Sequence, residues 1–321
     1  MSVTFSNLKS SEEPQAPVQP QPAAEVMRGP EVSASPSDPA MLRKLYAAML
    51  QTRMVEERAQ ELAHAHKLKS PLAISPGLEA STIGSLIELR AGDAVASHLG
   101  YAPRMFAGQP LGLYFAELYA VRAEYFAFAP RAANTAIHVL PTTSTVAAQL
   151  NAAAACALAI KKSQRPNVVL VHLPNAADAL GYWHEAATLA SAERLPMVLV
   201  GIDGSMNPGS FGSSDIRERA SSYGIPGITV DGGDVVGMWR VTQESIYRAR
   251  GGAGPTLIDS QVVAAANSKT HPGEYDPLAR MQRYLKKRNV WDESWSNELA
   301  QKFAAEIAEA QAFFPRAGET Q

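Results

Sequence analysis

Two short apolar runs in the middle of the chain decide the fold class. Residues 167–173 read NVVLVHL, and residues 195–202 read LPMVLVGI. Both runs are continuously apolar rather than alternating, which is typical of strands buried on both faces of a parallel sheet. The intervening residues 177–193 are long enough for a helix. The segment therefore predicts a β-α-β unit in which a helix joins two parallel strands.

The same alternation continues towards the C-terminus. Strands are predicted at 227–231 and 256–259, and a helix at 235–250 lies between them. Strands that alternate with helices indicate an α/β fold, in which a parallel sheet carries helices on both faces. Ligands of such sheets bind beyond the C-terminal ends of the strands. Those ends fall here at residues 173–177, 202–207, 231–234 and 260–268.

Helices are predicted on either side of this central part. The first begins with Asp38 as a cap and Pro39 in the first helical position. An Ala-rich helix at 145–160 suits a crowded helix or subunit interface, because small side chains allow neighbouring backbones to approach closely. The segment 71–141 is a mixture of helix and loop. Helices are also predicted at 78–89, 111–126, 278–287 and 295–314.

The chain is predicted to have one domain and an N-terminal arm. Residues 1–37 are rich in Pro, Ser, Gln and Glu. Such a segment buries too little apolar surface to offset its ordering entropy, so we expect a disordered arm. Residues 38–321 are expected to form a single α/β domain.

Composition excludes some classes of partner and compartment. A net charge of −2 and a pI near 6.4 give no electrostatic reason to expect nucleic acid or an anionic membrane as a partner. No apolar run is long enough to span a membrane, and no secretory signal is evident, so a cytoplasmic location is expected. The single cysteine, Cys156, lies among small residues and is interpreted as a packed core thiol.

Common nucleotide and hydrolase motifs are absent from the sequence. We find no G-x-G-x-x-G between a strand and a helix, no G-x-x-x-x-G-K-[ST] and no G-x-S-x-G. An unrelated nicotinamide dehydrogenase or a nucleoside triphosphatase is therefore disfavoured.

Several short motifs follow one another in a fixed order along the chain. They are QTRMVEE at 51–57, GLEA at 77–80, FAEL at 115–118, AIH at 136–138, GYWHEA at 181–186, YGIPG at 223–227 and VDGGD at 230–234. Together they resemble the alpha subunit of the thiamine-diphosphate-dependent first component of 2-oxo-acid dehydrogenase complexes, in which the first four read R-x-x-E-E, G-Q-E-A, A-E-L and S-M-H. The order and spacing hold from about residue 41 to 262, and this collinearity carries the resemblance.

The resemblance implies a fold, a cofactor and a partner. It implies the parallel α/β thiamine-diphosphate-binding fold and pairing with a beta-type subunit, with the cofactor between the subunits. A homo-oligomer is the alternative assembly. The implied cofactors are thiamine diphosphate and Mg²⁺, which requires hard oxygen ligands in near-octahedral geometry. The cofactor supplies the carbanion chemistry of decarboxylation and acyl transfer to a lipoyl group, and the protein supplies binding and orientation.

The resemblance also assigns site residues. The family's G-D-G falls on 174–176 and its N-N on 203–204, so the implied metal ligands are Asn175 and Asp203. The residues assigned to cofactor contact are Val146, Ala147, Asn175, Ala176 and Asp203. The candidate catalytic residues are His138 and His271.

This sequence departs from the family pattern at the metal site. Asn175 offers an amide where the family has a carboxylate, Gly204 has no side chain, and Pro174 has no backbone N–H. Asp203 restores one negative charge, but it stands one residue early, so its side chain points to the other face if the strand continues. The metal site is therefore interpreted as eroded.

Other family positions are changed as well. The family's Y-R falls on Leu99 and Gly100, with Arg104 out of register. The loop G-x-V-G-A-Q reads STVAAQ at 144–149 and lacks both glycines.

Three functions follow from these observations. The first is an active alpha subunit with a repaired metal site. The second is a non-catalytic structural or regulatory paralogue that pairs with a related subunit. The third is a protein that binds a different small ligand in the same cleft, through His138, Asp231 and Asp234.

Overall fold

The structure is a computed structural model that describes residues 38–65, 77–118, 137–141, 145–174, 183–206, 215–263 and 274–312. The side chains of residues 174, 203–206 and 215 lie outside that description. The helices are α1 (Pro39–His64), α2 (Glu79–Leu86), α3 (Ala102–Phe106), α4 (Leu111–Leu118), α5 (Val146–Lys162), α6 (Trp183–Ala192), α7 (Asp215–Ser222), α8 (Val235–Arg250), α9 (Pro277–Lys287) and α10 (Glu293–Ala312). The strands are β1 (Ala94–Ala96), β2 (His138–Val139), β3 (Val169–Pro174), β4 (Met197–Met206), β5 (Gly227–Asp231) and β6 (Thr256–Val263).

The six strands form one parallel sheet in the order β2-β1-β3-β4-β6-β5. The two predicted apolar runs are neighbours, since β3 pairs with β4 from Val169 opposite Met197 to Pro174 opposite Ile202. The α/β fold with a parallel sheet is therefore confirmed.

Helices cover both faces of the sheet. Side chains of a strand alternate between the two faces. Val169, Val171 and Leu173 of β3 pack in a core cluster with residues of α5, α6 and α7. His172, which points the other way, hydrogen-bonds to Ser85 of α2. The prediction of helices on both faces is confirmed.

The second face depends on a close contact between α2 and α8. A Cβ added to Gly84 of α2 would lie 2.6 Å from the Cβ of Met238 in α8. That distance is far below ordinary van der Waals contact, so only glycine lets the two helices approach this closely at position 84.

The structure corrects the sequence prediction where elements are short. β1 and β2 have three and two residues, and neither was predicted because such short strands show no periodicity. The short helices α3 and α7 were also missed. β4 and β6 extend beyond their predicted ends, to Met206 and Val263. The predicted helical residues 119–126, 177–182 and 313–314 lie outside the described residues.

A buried ion pair ties β1 to α8 and β3. Asp93, which has no exposed surface, accepts hydrogen bonds from the Arg250 guanidinium at the end of α8. The same carboxylate accepts the backbone N–H of Val168 at 3.1 Å and the side-chain amide of Asn167 at 3.2 Å. Donors from three parts of the chain therefore surround this carboxylate. Their hydrogen bonds and the ion pair compensate for the free-energy cost of burying its charge.

Aromatic side chains fasten the C-terminal helices to α1. The ring of Tyr46 lies 5.0 Å from that of Trp291 and 5.7 Å from that of Trp295, measured between centroids. The Arg43 guanidinium lies over the Trp295 ring at 5.0 Å and also donates to the carbonyl of Val290. One perpendicular ring contact, one tilted ring contact and the cation–π contact thus orient α10 beside α1.

None of the helices in the described ranges is long and apolar enough to cross a membrane. Cys156 is half-buried and packs against the α5–α6 core cluster, as the prediction of a packed thiol requires.

Candidate functional site

The order of the strands places a crevice at the C-terminal edge of the sheet. The chain passes from β1 to β2 on one side and then returns to β3 on the other side of β1. Where the chain reverses direction in this way, the two connections leave on opposite faces and open a crevice beyond the strand ends. Among the described residues, those that follow β1 lie next to this reversal between β1 and β3.

The predicted metal ligands belong to this edge. Asp203 lies within β4, where its backbone pairs with Gln261 of β6. The last described pair of β3 and β4 joins Pro174 and Ile202, one residue before positions 175 and 203. The side chain of Asp203 is not described, and Asn175 and Ala176 lie outside the described residues. Asn175 and Asp203 as metal ligands therefore stay a prediction.

A buried histidine joins the ends of β1 and β3 to α2. His172 Nε2 lies 2.8 Å from Ser85 Oγ, and His172 Nδ1 lies 2.9 Å from Ser97 Oγ. The Ser85 hydroxyl donates to helix carbonyls, so Nε2–H must donate to Ser85. The Ser97 oxygen accepts the N–H of Leu99, so its hydroxyl donates to Nδ1. The ring is therefore neutral and carries its proton on Nε2.

Burial lowers the pKa of His172 to about 3, well below its usual value of 6.5. The unfolded chain then binds more protons than the folded chain between pH 6.5 and pH 3, so stability falls as the pH drops through that window. At pH 5 the loss from this group is about 2 kcal/mol relative to pH 8.

The wild-type protein should be less stable at pH 5 than at pH 8, partly because of His172. We expect His172→Asn to reduce this difference in unfolding free energy by about 2 kcal/mol. Urea unfolding followed by circular dichroism at both pH values measures it. An unchanged pH dependence in the variant would show that His172 titrates freely in the folded protein.

A second polar contact binds α2 to β6 and to the turn after β5, on the other side of the sheet from β1. Ser81 Oγ donates to the carbonyl of Gly232 at 2.9 Å and lies 2.6 Å from Ser260 Oγ. A Cβ on Gly232 would lie 2.4 Å from the same Ser260 oxygen and 2.5 Å from a methyl group of Val262. Glycine at this turn is therefore required by the approach of β6 and α2.

The first turn of α5 holds the predicted contact residues Val146 and Ala147. Thr145 caps this helix by accepting the N–H of Ala148 at 3.2 Å. Val146 is half-buried and Ala147 is buried. Gln149 is only 2% exposed, and neither of its amide atoms has a hydrogen-bond partner in the described part of the chain. Long side chains of a helix lean towards its N-terminus, so the Gln149 amide lies over this turn.

Among the described residues, Nε1 of Trp183 in the first turn of α6 and Nε2 of His98, which follows β1, are also buried without a hydrogen-bond partner. The same holds for Thr242 Oγ1, Arg250 Nε and Gln311 Nε2 elsewhere in the fold. Burial lowers the pKa of His98, against an opposing hydrogen bond to the backbone of Thr145. Buried polar atoms normally have partners, so Gln149, Trp183 and His98 are candidates for contact with a polar ligand. Sequence reasoning missed them, because burial without a partner leaves no sequence signal.

The two candidate catalytic histidines are not brought together by the described residues. His138 is exposed and lies in the edge strand β2, where its backbone N–H donates to the carbonyl of Asp93 at 2.7 Å. His271 lies outside the described residues. Their catalytic roles stay predictions.

Several charged residues near the site already serve the fold. Arg104 bonds to Glu117 at 3.0 Å and to the carbonyl of Gly100 at 3.0 Å. Asp231 pairs with Arg280 at 2.6 Å, and Asp234 caps α8 by accepting the N–H of Val236 at 3.0 Å. These contacts weaken the hypothesis of a different ligand bound through Asp231 and Asp234.

Arg53 of α1 also serves the fold. It pairs with the buried Glu79 at the start of α2 and with Asp276, the cap of α9, at 2.9 Å. The arginine therefore joins three helices. No group of three or more His, Cys, Asp or Glu side chains suited to a metal occurs in the described part of the chain.

The six-stranded parallel sheet with helices on both faces is an α/β fold, and it is consistent with the thiamine-diphosphate-binding family that the sequence resembles. The family described as "Dehydrogenase E1 component" matches residues 46–321. The chain belongs to this family, and membership implies dependence on thiamine diphosphate.

Relatives with known names are similar over most of the chain. The alpha subunit of acetoin:2,6-dichlorophenolindophenol oxidoreductase of Bacillus subtilis (strain 168) is 27% identical over 296 residues, which cover 84% of this chain and 87% of the relative. The pyruvate dehydrogenase E1 component subunit alpha of Staphylococcus aureus (strain Mu50 / ATCC 700699) is 26% identical over 290 residues, covering 84% and 76%. The corresponding Acholeplasma laidlawii subunit is 27% identical over 192 residues, covering 53% and 55%.

Proposed function

We propose that the chain is an alpha-type subunit of a 2-oxo-acid dehydrogenase E1 assembly whose own site for Mg²⁺ and thiamine diphosphate is incomplete. The observation that carries this proposal is the set of groups at the ends of β3 and β4. Pro174 lacks an N–H, Asn175 is neutral, and Gly204 lacks a side chain. Asp203 is the single carboxylate that this segment of β4 offers.

This set does not fit a magnesium ion that bridges a diphosphate. Mg²⁺ takes about six oxygen ligands and is bound to proteins through one or two carboxylates together with phosphate oxygens. An amide in place of the first carboxylate removes a full negative charge. The position after Asp203 contributes no side-chain oxygen at all. We therefore derive no catalytic step through the cofactor for this chain.

Pairing with a beta-type subunit follows from the names of the relatives, which are alpha subunits. The exposed alanines 148, 152, 155 and 159 of α5 leave a flat surface beside the site, as a close subunit contact requires. A homo-oligomer is the alternative assembly.

A non-catalytic structural or regulatory paralogue is the second candidate. It is favoured by Arg104, the one arginine near the family's Y-R position, because its guanidinium is held by Glu117 and lies 5.7 Å from the centre of the Tyr114 ring. In the structure this guanidinium is occupied by Glu117 and the Tyr114 ring, although an exposed pair of this kind is weak.

The test is calorimetric titration of thiamine diphosphate with Mg²⁺ into the purified chain, alone and after co-expression with a beta-type subunit. We expect a stable complex with the beta-type subunit by light scattering and no Mg²⁺-dependent heat at micromolar cofactor. Micromolar, Mg²⁺-dependent binding would refute the incomplete site. A chain that associates only with itself would refute the pairing.

A further inference from the structure

The first turn of α5 leaves two backbone donors beside the end of β1. Thr145 accepts the N–H of Ala148 through its side chain and the N–H of Gln149 through its carbonyl, each at 3.2 Å. The N–H groups of Val146 and Ala147 have no acceptor among the described residues, as is usual for the first residues of a helix. Thr145 and Ala148 are exposed, so the turn is open to solvent. Free N–H groups at the positive end of a helix dipole favour an anion.

The buried side chain of Gln149 points independently to a ligand at this turn. It is 2% exposed, and neither Nε2 nor Oε1 has a hydrogen-bond partner in the described ranges. Long side chains of a helix lean back over the preceding turn, so the amide lies towards the N-terminus of α5. A buried amide without partners costs free energy, because it has lost its bonds to water. A ligand that accepts from Nε2 and donates to Oε1 would recover that loss.

His98 adds one more acceptor at the same turn. Its ring hydrogen-bonds to the backbone of Thr145, and because this bond acts to raise the pKa, the ring is the donor. Nε2 is buried and has no partner, so the donor is Nδ1–H and the acceptor is the Thr145 carbonyl. Burial lowers the pKa of His98, which favours the neutral ring. Nε2 therefore faces the turn as an acceptor.

We propose that the first turn of α5 binds a singly charged phosphate group that retains its hydroxyl hydrogen, either free phosphate or a phosphate monoester. The N–H groups of Val146 and Ala147 and Nε2 of Gln149 donate to the phosphate oxygens. The hydroxyl group donates to Nε2 of His98, and free phosphate offers a second hydroxyl to Oε1 of Gln149. Sulfate has the same shape but no hydroxyl, so it leaves both acceptors unpaired.

This site is separate from the metal positions 175 and 203, and the inference goes beyond the proposed function without depending on it. The resemblance assigned Val146 and Ala147 to contact with the thiamine cofactor. The proposal gives their free N–H groups a different ligand, which needs no metal ion.

Calorimetric titration of the full chain with phosphate, methyl phosphate and sulfate tests the site. At about pH 6, where much of the phosphate carries a proton, we expect phosphate to bind at least about tenfold more tightly than sulfate. Methyl phosphate distinguishes the two sources. If it binds as tightly as phosphate or more tightly, the natural ligand is a monoester, and if it binds more weakly, the ligand is free phosphate.

Two substitutions separate ligand binding from a structural role. Gln149→Leu removes both amide atoms without adding charge, so phosphate should bind at least about tenfold more weakly, whereas the unfolding free energy without ligand should not fall. His98→Phe removes the acceptor, so the preference for phosphate over sulfate should drop to about twofold or less. Gln301→Leu, the same change as the first at an exposed position of α10, is the matched control and leaves binding unchanged.

The proposal is wrong if phosphate does not bind, or if it binds no more tightly than sulfate. It is equally wrong if Gln149→Leu binds phosphate as the wild type does, or if His98→Phe keeps the full preference. A clear loss of unfolding free energy in ligand-free Gln149→Leu would show that the amide has a structural partner, and would also overturn it. The proposed function is unaffected by these outcomes, since it is tested by titration with thiamine diphosphate and Mg²⁺ and by association with a beta-type subunit.

Discussion

Restoring the family's ligand pattern is expected to create cofactor binding. Asn175→Asp together with Gly204→Asn should raise the affinity of the chain for thiamine diphosphate with Mg²⁺ by at least about tenfold, because even outer-shell groups of metal sites contribute 10- to 100-fold. The first change returns a carboxylate and the second returns a side-chain oxygen at the ends of the adjacent strands β3 and β4. Calorimetric titration in the presence of a beta-type subunit, compared with the same titration in a chelator, measures the gain.

The control for this experiment is Asn297→Asp, which makes the same amide-to-carboxylate change at an exposed position of α10. It should give no gain. If the folded double variant also gains nothing, the missing oxygen ligands are not what limits binding, and the proposed reason for the incomplete site is wrong.

Loss of the buried carboxylate of Asp93 is expected to have the largest effect on stability. Asp93→Ala leaves Arg250 buried without its anion and removes the acceptor of the Val168 N–H. Breaking a buried pair from one side costs about 3–5 kcal/mol, a large part of the 5–15 kcal/mol that holds a typical domain folded. Chemical unfolding at pH 7 measures the change.

Glu117→Ala serves as the matched comparison, because Glu117 pairs with Arg104 at a largely exposed position. Its loss should cost no more than about 1 kcal/mol. If the two substitutions lower the unfolding free energy equally, the burial of Asp93 does not increase its contribution to stability.

The sequence predicted the central part of the fold because residues 168–171, at the start of β3, and residues 197–200 of β4 are continuously apolar. Such uninterrupted apolar runs are typical of strands that are buried on both faces of a parallel sheet. β1 and β2 carry no such signal. The three residues of β1 are held in place by pairing with Val169–Val171, a long-range contact that local propensity does not contain.

The family resemblance assigned the candidate cofactor positions to 174–176 and 203–204, and that assignment stays a prediction. The structure shows that Pro174 pairs with Ile202, next to Asp203 within β4. What surrounds these positions was not predictable. His172 looked like one more residue of an apolar strand, and its two serine partners come from α2 and from the end of β1. Only the tertiary structure brings these three segments together.

The strand order has a consequence for how the chain folds. β1 finds both of its neighbours only after a long stretch of later sequence has been made, whereas β3 and β4 are joined by a single helix and can pair at once. Contacts between distant segments form slowly, because the loop between them must close first. During synthesis, the N-terminal third of the domain therefore cannot complete its contacts in the sheet until β3 has been made. Until then its apolar surface stays accessible to chaperones.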